Sequence, residues 1–260
     1  MSDREIFQMW EPTRQHLIAN HRFYVSEAKS RLLDQFSEPE MQAAADRHAE
    51  EWLAKTASSF DPDRDDPASA YEDAHDRSIV FYQSLSELQS TTRLSIIAGM
   101  YHEWEKQLRH HVAREFSHFL RGDHTQQAIW KVPITDLFDF FECWRWPVKA
   151  KSYASALNKC RLVINVYKHG AGPSFDELKR EAPEFLRTTN GLPSYAFLEP
   201  DYTDLEVSDG DLDQFSSAIE EFWRDMPAQV LQSQINDAPR WMEKALTKDL
   251  EARASRPTGR

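Results

Sequence analysis

The stretch from Lys151 to Gly170, KSYASALNKCRLVINVYKHG, reads as one amphipathic helix with a defined end. Tyr153, Leu157, Cys160, Ile164 and Tyr167 follow one another at steps of four, three, four and three. At about 100° per residue these steps put all five side chains on one face, a seam to be buried. Asn158, Arg161, Asn165 and His169 fall on one flank of that seam, and all four are polar. Gly170 is the residue type that best accepts the left-handed turn closing a helix. His169 therefore lies in the last turn, where the helix dipole favours the protonated imidazolium. A polar flank is also what many helices bordering a core display, so the pattern by itself leaves a site and an ordinary helix edge both open.

The same kind of spacing recurs outward from this segment. Ile97, Tyr101, Trp104, Leu108, Val112, Phe116 and Phe119 form a second apolar stripe, within a helical stretch expected over 70–121 with a break near Gln89 to Thr92. A first helix is expected from Thr13 to Phe36. Ser37, Pro39 and Glu40 read as a capping box opening a helix to about residue 59, and a polar, proline-bounded linker follows over 61–67. After Gly122 a shorter helix carrying Leu137, Phe138, Phe141 and Trp144 should end before Pro147. Ser174 and Glu177 read as a second capping box, for a short helix reaching Leu186 at most. Residues 194–207 alternate weakly around Pro200 and suggest a small hairpin or an irregular arm. Two last helices are expected over 211–225 and 228–252.

Composition agrees with this reading. Only 7 of 260 residues are glycine, under half the usual share of about 7%, which argues against a glycine-rich nucleotide loop and against a turn-rich β protein. The expected fold is an all-α helical bundle with peripheral helices. It comprises an N-terminal helical segment over 1–67, a bundle core over 68–186, and an acidic arm with C-terminal helices over 187–260. The N-terminus has no apolar signal region and the longest apolar run is too short to span a bilayer. Cys143 and Cys160 make no disulfide framework or zinc tetrad, so a cytoplasmic protein with no membrane partner is expected.

Charge is segregated along the chain. The net charge is −12, which excludes a uniformly basic nucleic-acid coat. Yet residues 143–175 hold no acid and six cations: Arg145, Lys149, Lys151, Lys159, Arg161 and Lys168. Residues 199–225 hold ten acids and one arginine. The basic segment is either a phosphate-binding surface or one that cancels against acids elsewhere in the fold.

Other groupings carry less. His111, Glu115 and His118 share a helical face with metal-ligand chemistry but show no fourth ligand, and no metal or cofactor is expected. Trp130, Phe140, Phe141, Trp144 and Trp146 serve a core or a stacking surface. Glu105 and Arg109 are an i,i+4 pair. With His102 they flank the second stripe and are candidates to line the same groove as His169. The chain has no Gly-x-Ser-x-Gly elbow, Walker loop or paired-histidine zinc motif.

The run Arg161-Leu-Val-Ile-Asn165-Val-Tyr-Lys168-His169-Gly170 resembles the signature helix of HEPN domains, and Tyr101 to Arg109 resembles an earlier helix of the same bundle. The resemblance covers about residues 80–185. It implies an all-α bundle in a prokaryotic defence or toxin system, acting on RNA without a metal. Two copies of the motif would meet across a homodimer, with an antitoxin or another defence protein as partner. It implies His169, Asn165 and Arg161 as catalytic residues. Lys168, Asn158, Arg109, Glu105 and His102 would contact substrate, which is RNA or a nucleotide. Chemically, imidazole exchanges protons near neutral pH and guanidinium grips phosphate. With Asn165 and His169 in register, however, the motif arginine falls on Ile164. Arg161 stands eight residues from His169, about 12 Å of helix rise. A non-catalytic module that binds nucleotide, nucleic acid or a protein is the alternative.

Overall fold

A computed structural model describes residues 3–58, 60–61, 64–119, 122–187 and 199–255. It is mostly helical, at 79%, with one two-stranded sheet. In chain order the elements are β1 (Glu5–Gln8), α1 (Glu11–Ala28), α2 (Glu38–Ala57), α3 (Pro67–Phe119), α4 (Asp123–Lys131), α5 (Ile134–Glu142), α6 (Ser152–His169), α7 (Pro173–Glu181), α8 (Asp209–Asp225), β2 (Gln229–Leu231) and α9 (Arg240–Ala254).

The 53-residue α3 is the axis of the fold, about 80 Å long at 1.5 Å per residue. It runs without interruption through Gln89–Thr92, where a break was expected. There the Gln89 side chain donates to the Phe36 carbonyl at 3.0 Å instead of turning the chain. Ile97, Tyr101, Trp104, Leu108, Val112 and Phe116 are all buried, as their spacing requires; the Phe119 side chain lies outside the described residues. The stripe packs into an aromatic cluster in which the Phe141 ring lies 4.8 Å from that of Trp144 and Phe222 lies 5.1 Å from Trp104. One set of buried apolar side chains continues from Ile6 to Met242.

Several boundaries differ from the expected ones for local reasons. The helix expected over 13–36 ends as α1 at Ala28 and continues as a π turn, Lys29–Leu33, and a 3-10 turn, Asp34–Phe36. These turns rotate Leu33 and Phe36 inward. Ser37 does precede α2, but its side chain makes no capping bond. Ser174 lies inside α7, because Pro173, with φ already set for a helix, starts the helix directly after Gly172. Pro133 divides the helix expected after Gly122 into α4 and α5, since a proline cannot continue the hydrogen-bond ladder.

The largest departure is at residues 228–252. The segment begins as strand β2, passes through a 3-10 turn at Gln232–Gln234 and becomes α-helical only at Arg240, after Pro239. β2 pairs antiparallel with β1, placing Phe7 opposite Val230 and Gln8 opposite Gln229, with an irregularity between Glu5 and Phe7. That bulge lets the adjacent Ile6 and Phe7 both be buried, which a regular strand, alternating faces, would not allow. Of the expected arm over 194–207, residues 194–198 lie outside the described residues. The rest holds a 3-10 turn, Tyr202–Asp204, and one isolated antiparallel bridge between Leu186 and Leu205 rather than a hairpin. Among the described residues no helix is long and apolar enough to cross a membrane.

Candidate functional site

Helix α6 is buried on more than the expected seam. Tyr153, Leu157, Cys160 and Ile164 face inward, and so do Leu162, Val163 and Val166. Tyr167 is the exception: its ring is partly exposed and its hydroxyl pairs with Ser95 Oγ at 2.8 Å. Ile164, in the register of the motif arginine, is 2% exposed. The helix closes at Gly170, whose φ of 67° lies in the left-handed region and whose N–H donates to the Val166 carbonyl at 2.8 Å. His169 and Lys168 are exposed at this end, Asn165 is half-buried one turn earlier, and none of the three has a polar partner among the described residues.

Arg161 and Asn158 belong to a different place, toward the middle of α6. Arg161 Nη2 donates to Glu177 Oε1 at 2.8 Å, and Arg161 Nε and Nη2 donate to Asn158 Oδ1 at 3.0 and 2.9 Å. Asn158 in turn donates to Glu181 at 3.1 Å, so the pair ties α6 to α7. Glu105 and Arg109 meet as their spacing predicts. Arg109 is buried, with Nη1 donating to the Ile129 carbonyl at 2.6 Å, which fastens α4 to α3. His102 is exposed beside the Tyr101 ring. The structure therefore brings together two pairs, Asn158 with Arg161 and Glu105 with Arg109, and leaves His169 apart from both.

The basic segment is largely neutralised where it stands. Lys149 pairs with Asp139, Lys151 with Asp225 at 3.0 Å, Lys159 with Glu184 at 2.7 Å, and Arg161 with Glu177. Of these acids only Asp225 comes from the acidic stretch over 199–225. Asp225 also accepts from Trp146 Nε1 at 2.7 Å and Tyr153 Oη at 2.8 Å. Burial pushes its carboxyl up, but donation from Trp146, Tyr153 and Lys151 outweighs that and holds it below the usual range.

Between α3, the start of α5 and α6 lies an open groove of about 340 Å³, within the range of small-ligand sites. Tyr101, Ile134, Phe138 and Leu157 give it apolar lining; Thr135, Lys149, Lys151, Asn158 and Arg161 give it polar lining. Tyr101 is 3% exposed, and its hydroxyl makes no hydrogen bond among the described residues. Burial raises its pKa well above the ordinary tyrosine value, so it stays a donor. The α5 N-terminus has no capping side chain, leaving its first amide N–H groups and the positive dipole end free for an acceptor. Tyr101 and Thr135 were not singled out as site residues in the sequence, and Lys149 and Lys151 were named only as part of the basic segment. A tyrosine in an apolar stripe looks like any other core aromatic until its hydroxyl is seen to lack a partner.

The His111, Glu115 and His118 face resolves differently. His111 is buried, with Nδ1 3.2 Å from Arg114 Nη2, and Glu115 pairs with Arg114 at 2.9 Å, while His118 is exposed. No group of three His, Cys, Asp or Glu side chains is placed to hold a metal ion among the described residues. The His111 ring packs against the edge of Phe7 at 5.3 Å, and its Nε2 is buried without a partner. Burial is the largest cause bringing its pKa down to about 4. The folded state therefore holds His111 neutral, while the unfolded chain protonates it near pH 6.5. Its contribution to stability is complete above pH 6.5 and is lost as pH falls toward 4. Lowering the pH from 7 to 5 should cost about 2 kcal/mol through His111, a window above the titration of most carboxylates. His111→Leu should flatten this part of the pH dependence of urea unfolding; an unchanged slope would refute the assignment.

Comparison with protein-family models, with curated proteins and with solved structures finds no match for this chain.

Proposed function

We propose that this chain is a non-catalytic helical module that binds a phosphate-bearing ligand, a nucleotide or a segment of RNA, in the groove beside Tyr101 and Arg161. The lining of that groove carries the reading: Tyr101, whose hydroxyl makes no hydrogen bond among the described residues, stands beside cationic, polar and apolar side chains on one open groove. A ligand oxygen would accept from this hydroxyl. Arg161, which meets the half-exposed Glu177 carboxylate through one nitrogen, can exchange it for a phosphate that its guanidinium can grip bidentately. Lys149 and Lys151 stand at the same groove, and the apolar lining over Ile134, Phe138 and Leu157 suits a base or ribose face. The burial of Ile164 where the motif arginine would stand favours binding over cleavage.

Titration of the protein with fluorescent single-stranded RNA and with mononucleotides tests this. Binding should weaken as salt rises. Tyr101→Phe should weaken it about tenfold, the equivalent of one hydrogen bond at 1.4 kcal/mol per decade. Binding that is absent, or unchanged by Tyr101→Phe and Arg161→Gln, would refute it.

A second reading rests on the exposed, unpartnered His169 with Lys168 beside it at a helix C-terminus. In that reading the chain is a HEPN-like, metal-independent endoribonuclease of a defence or toxin system, with two His169 side chains meeting in a homodimer. RNA cleavage in EDTA that His169→Ala abolishes, together with a dimer by light scattering, would establish it over the first.

A further inference from the structure

We propose that the hairpin of α2 and the first half of α3 is a docking surface for a basic amphipathic helix of another protein. Along this hairpin the chain is helical but barely buried. Of the 20 residues of α2 only Met41 and Ala45 are buried, and from Pro67 to Thr92 of α3 only Ala74 is. None of the three belongs to the apolar cluster that continues from Ile6 to Met242. Tyr71 is 67% exposed and Val80 61%, with Ile79 and Leu88 also open. Two helices alone cannot enclose both of their apolar faces, and the stable solution is a further layer against them.

The surface left open has a definite shape and charge. An open groove of about 440 Å³ runs between His48 on α2 and the α3 face carrying Asp73, Asp76, Arg77, Val80, Phe81 and Ser84. Asp73, Asp76, Val80 and Ser84 step by three and four, so the groove follows the helix axis. Toward the hairpin tip a second, apolar groove of about 410 Å³ lies against Leu53, Phe60 and Tyr71. Residues 38–92 carry thirteen acidic and four basic side chains. Asp73 and Asp76 have neither an ion pair nor a hydrogen bond among the described residues, while the neighbouring Arg77 guanidinium is held over the Trp52 ring at 5.0 Å. An apolar trough with acids along its side complements a helix with an apolar stripe flanked by lysine or arginine, the helix-in-groove mode of recognition.

A second copy of the hairpin is a poor occupant, since it would set a strongly acidic surface against itself. The chain's own basic segment is no better, because four of its six cations already hold internal partners. Nucleic acid is excluded by the same acidity.

The probe is an 18-residue leucine-lysine peptide of helical periodicity, labelled and titrated into the full chain, with a leucine-glutamate peptide as control. The lysine peptide should bind with an affinity that falls as salt rises, and the glutamate peptide should not bind. The pair Asp73→Lys and Asp76→Lys should weaken binding at least tenfold, as should Val80→Asp. The pair Glu199→Lys and Glu221→Lys, in the other acidic stretch, should leave it unchanged. All these sites are exposed, and helical circular dichroism checks that each variant folds. Equal weakening by both lysine pairs, or by neither, would overturn the proposal, as would a concentration-dependent dimer that Val80→Asp dissolves.

Discussion

Replacing Arg14 with leucine should lower the free energy of unfolding by about 4 kcal/mol. Arg14 is 6% exposed on α1 and reaches the far end of α8. There its Nη1 donates to the carbonyls of Arg224 at 3.1 Å and Met226 at 2.8 Å and lies against that of Trp223. Trp223 and Arg224 carry two of the last carbonyls of α8, which have no intrahelical donor, and Met226 directly follows its end. The guanidinium satisfies them in a buried setting and sets a positive charge at the negative end of the helix dipole. Leucine matches the apolar surroundings but leaves buried carbonyls without donors. Arg14→Lys keeps the charge but loses the fork, and should recover about half of the loss. Urea unfolding of the three proteins measures this. A loss under 1 kcal/mol for Arg14→Leu would show that the carbonyls find other partners.

Asp249→Ala should cost about 3 kcal/mol by a related mechanism at the opposite kind of helix end. Helix α4 follows Gly122, which has no side chain to cap it. Asp249, one helical layer away on α9, supplies the cap instead. Its Oδ1 accepts from the His124 amide at 2.9 Å, and its Oδ2 accepts from the Thr125 amide at 2.9 Å and the Thr125 hydroxyl at 2.6 Å. Burial raises the Asp249 carboxyl, but these donors outweigh it and hold the group below the usual carboxylate range. Its contribution is therefore complete above about pH 4 and is lost as pH falls through the lowered value. The close approach also explains the glycine. A Cβ on Gly122 would lie 2.1 Å from Asp249 Cγ and Oδ2, so Gly122→Ala must drive the cap away. Both single variants should then lose nearly the same stability, and the double variant should lose little more than either. Additive losses in a double-mutant cycle would show that Gly122 and Asp249 act separately.

Helix type and helix faces were legible where the information is contiguous. The stripe from Ile97 to Phe116 and the seam from Tyr153 to Ile164 are periodic within their own segments, and both are buried. The capping boxes misled because Ser, Pro and Glu at the right spacing state only that a cap is available. Ser37 and Ser174 make no capping bond, while Ser208 and Asp211 form a full box. The strands were missed for a different reason. β1 and β2 are four and three residues long, too short for alternation to register, and each is a strand only because the other lies beside it.

The same division holds for the candidate site. Arg161 and Asn158 share a helical flank with His169 in projection, and a helical projection hides the rise that keeps them apart. The basic segment was legible as charge, but its pairing with Asp139, Glu177, Glu184 and Asp225 was not. Tyr101 is conspicuous only once the packing of α3 against α6 leaves its hydroxyl without an acceptor.

By itself the sequence determined the all-α class, most of the helices and their buried faces, since hydrophobic periodicity and helix propensity are properties of neighbouring residues. The tertiary structure alone decided which helix ends are satisfied and by whom, where the two strands meet, and where a groove stays open. Arg14 meets a carbonyl 212 residues away, and Asp249 meets an amide 124 residues away. A contact between groups so far apart along the chain leaves no period in the sequence, and only the packing that brings them together reveals it.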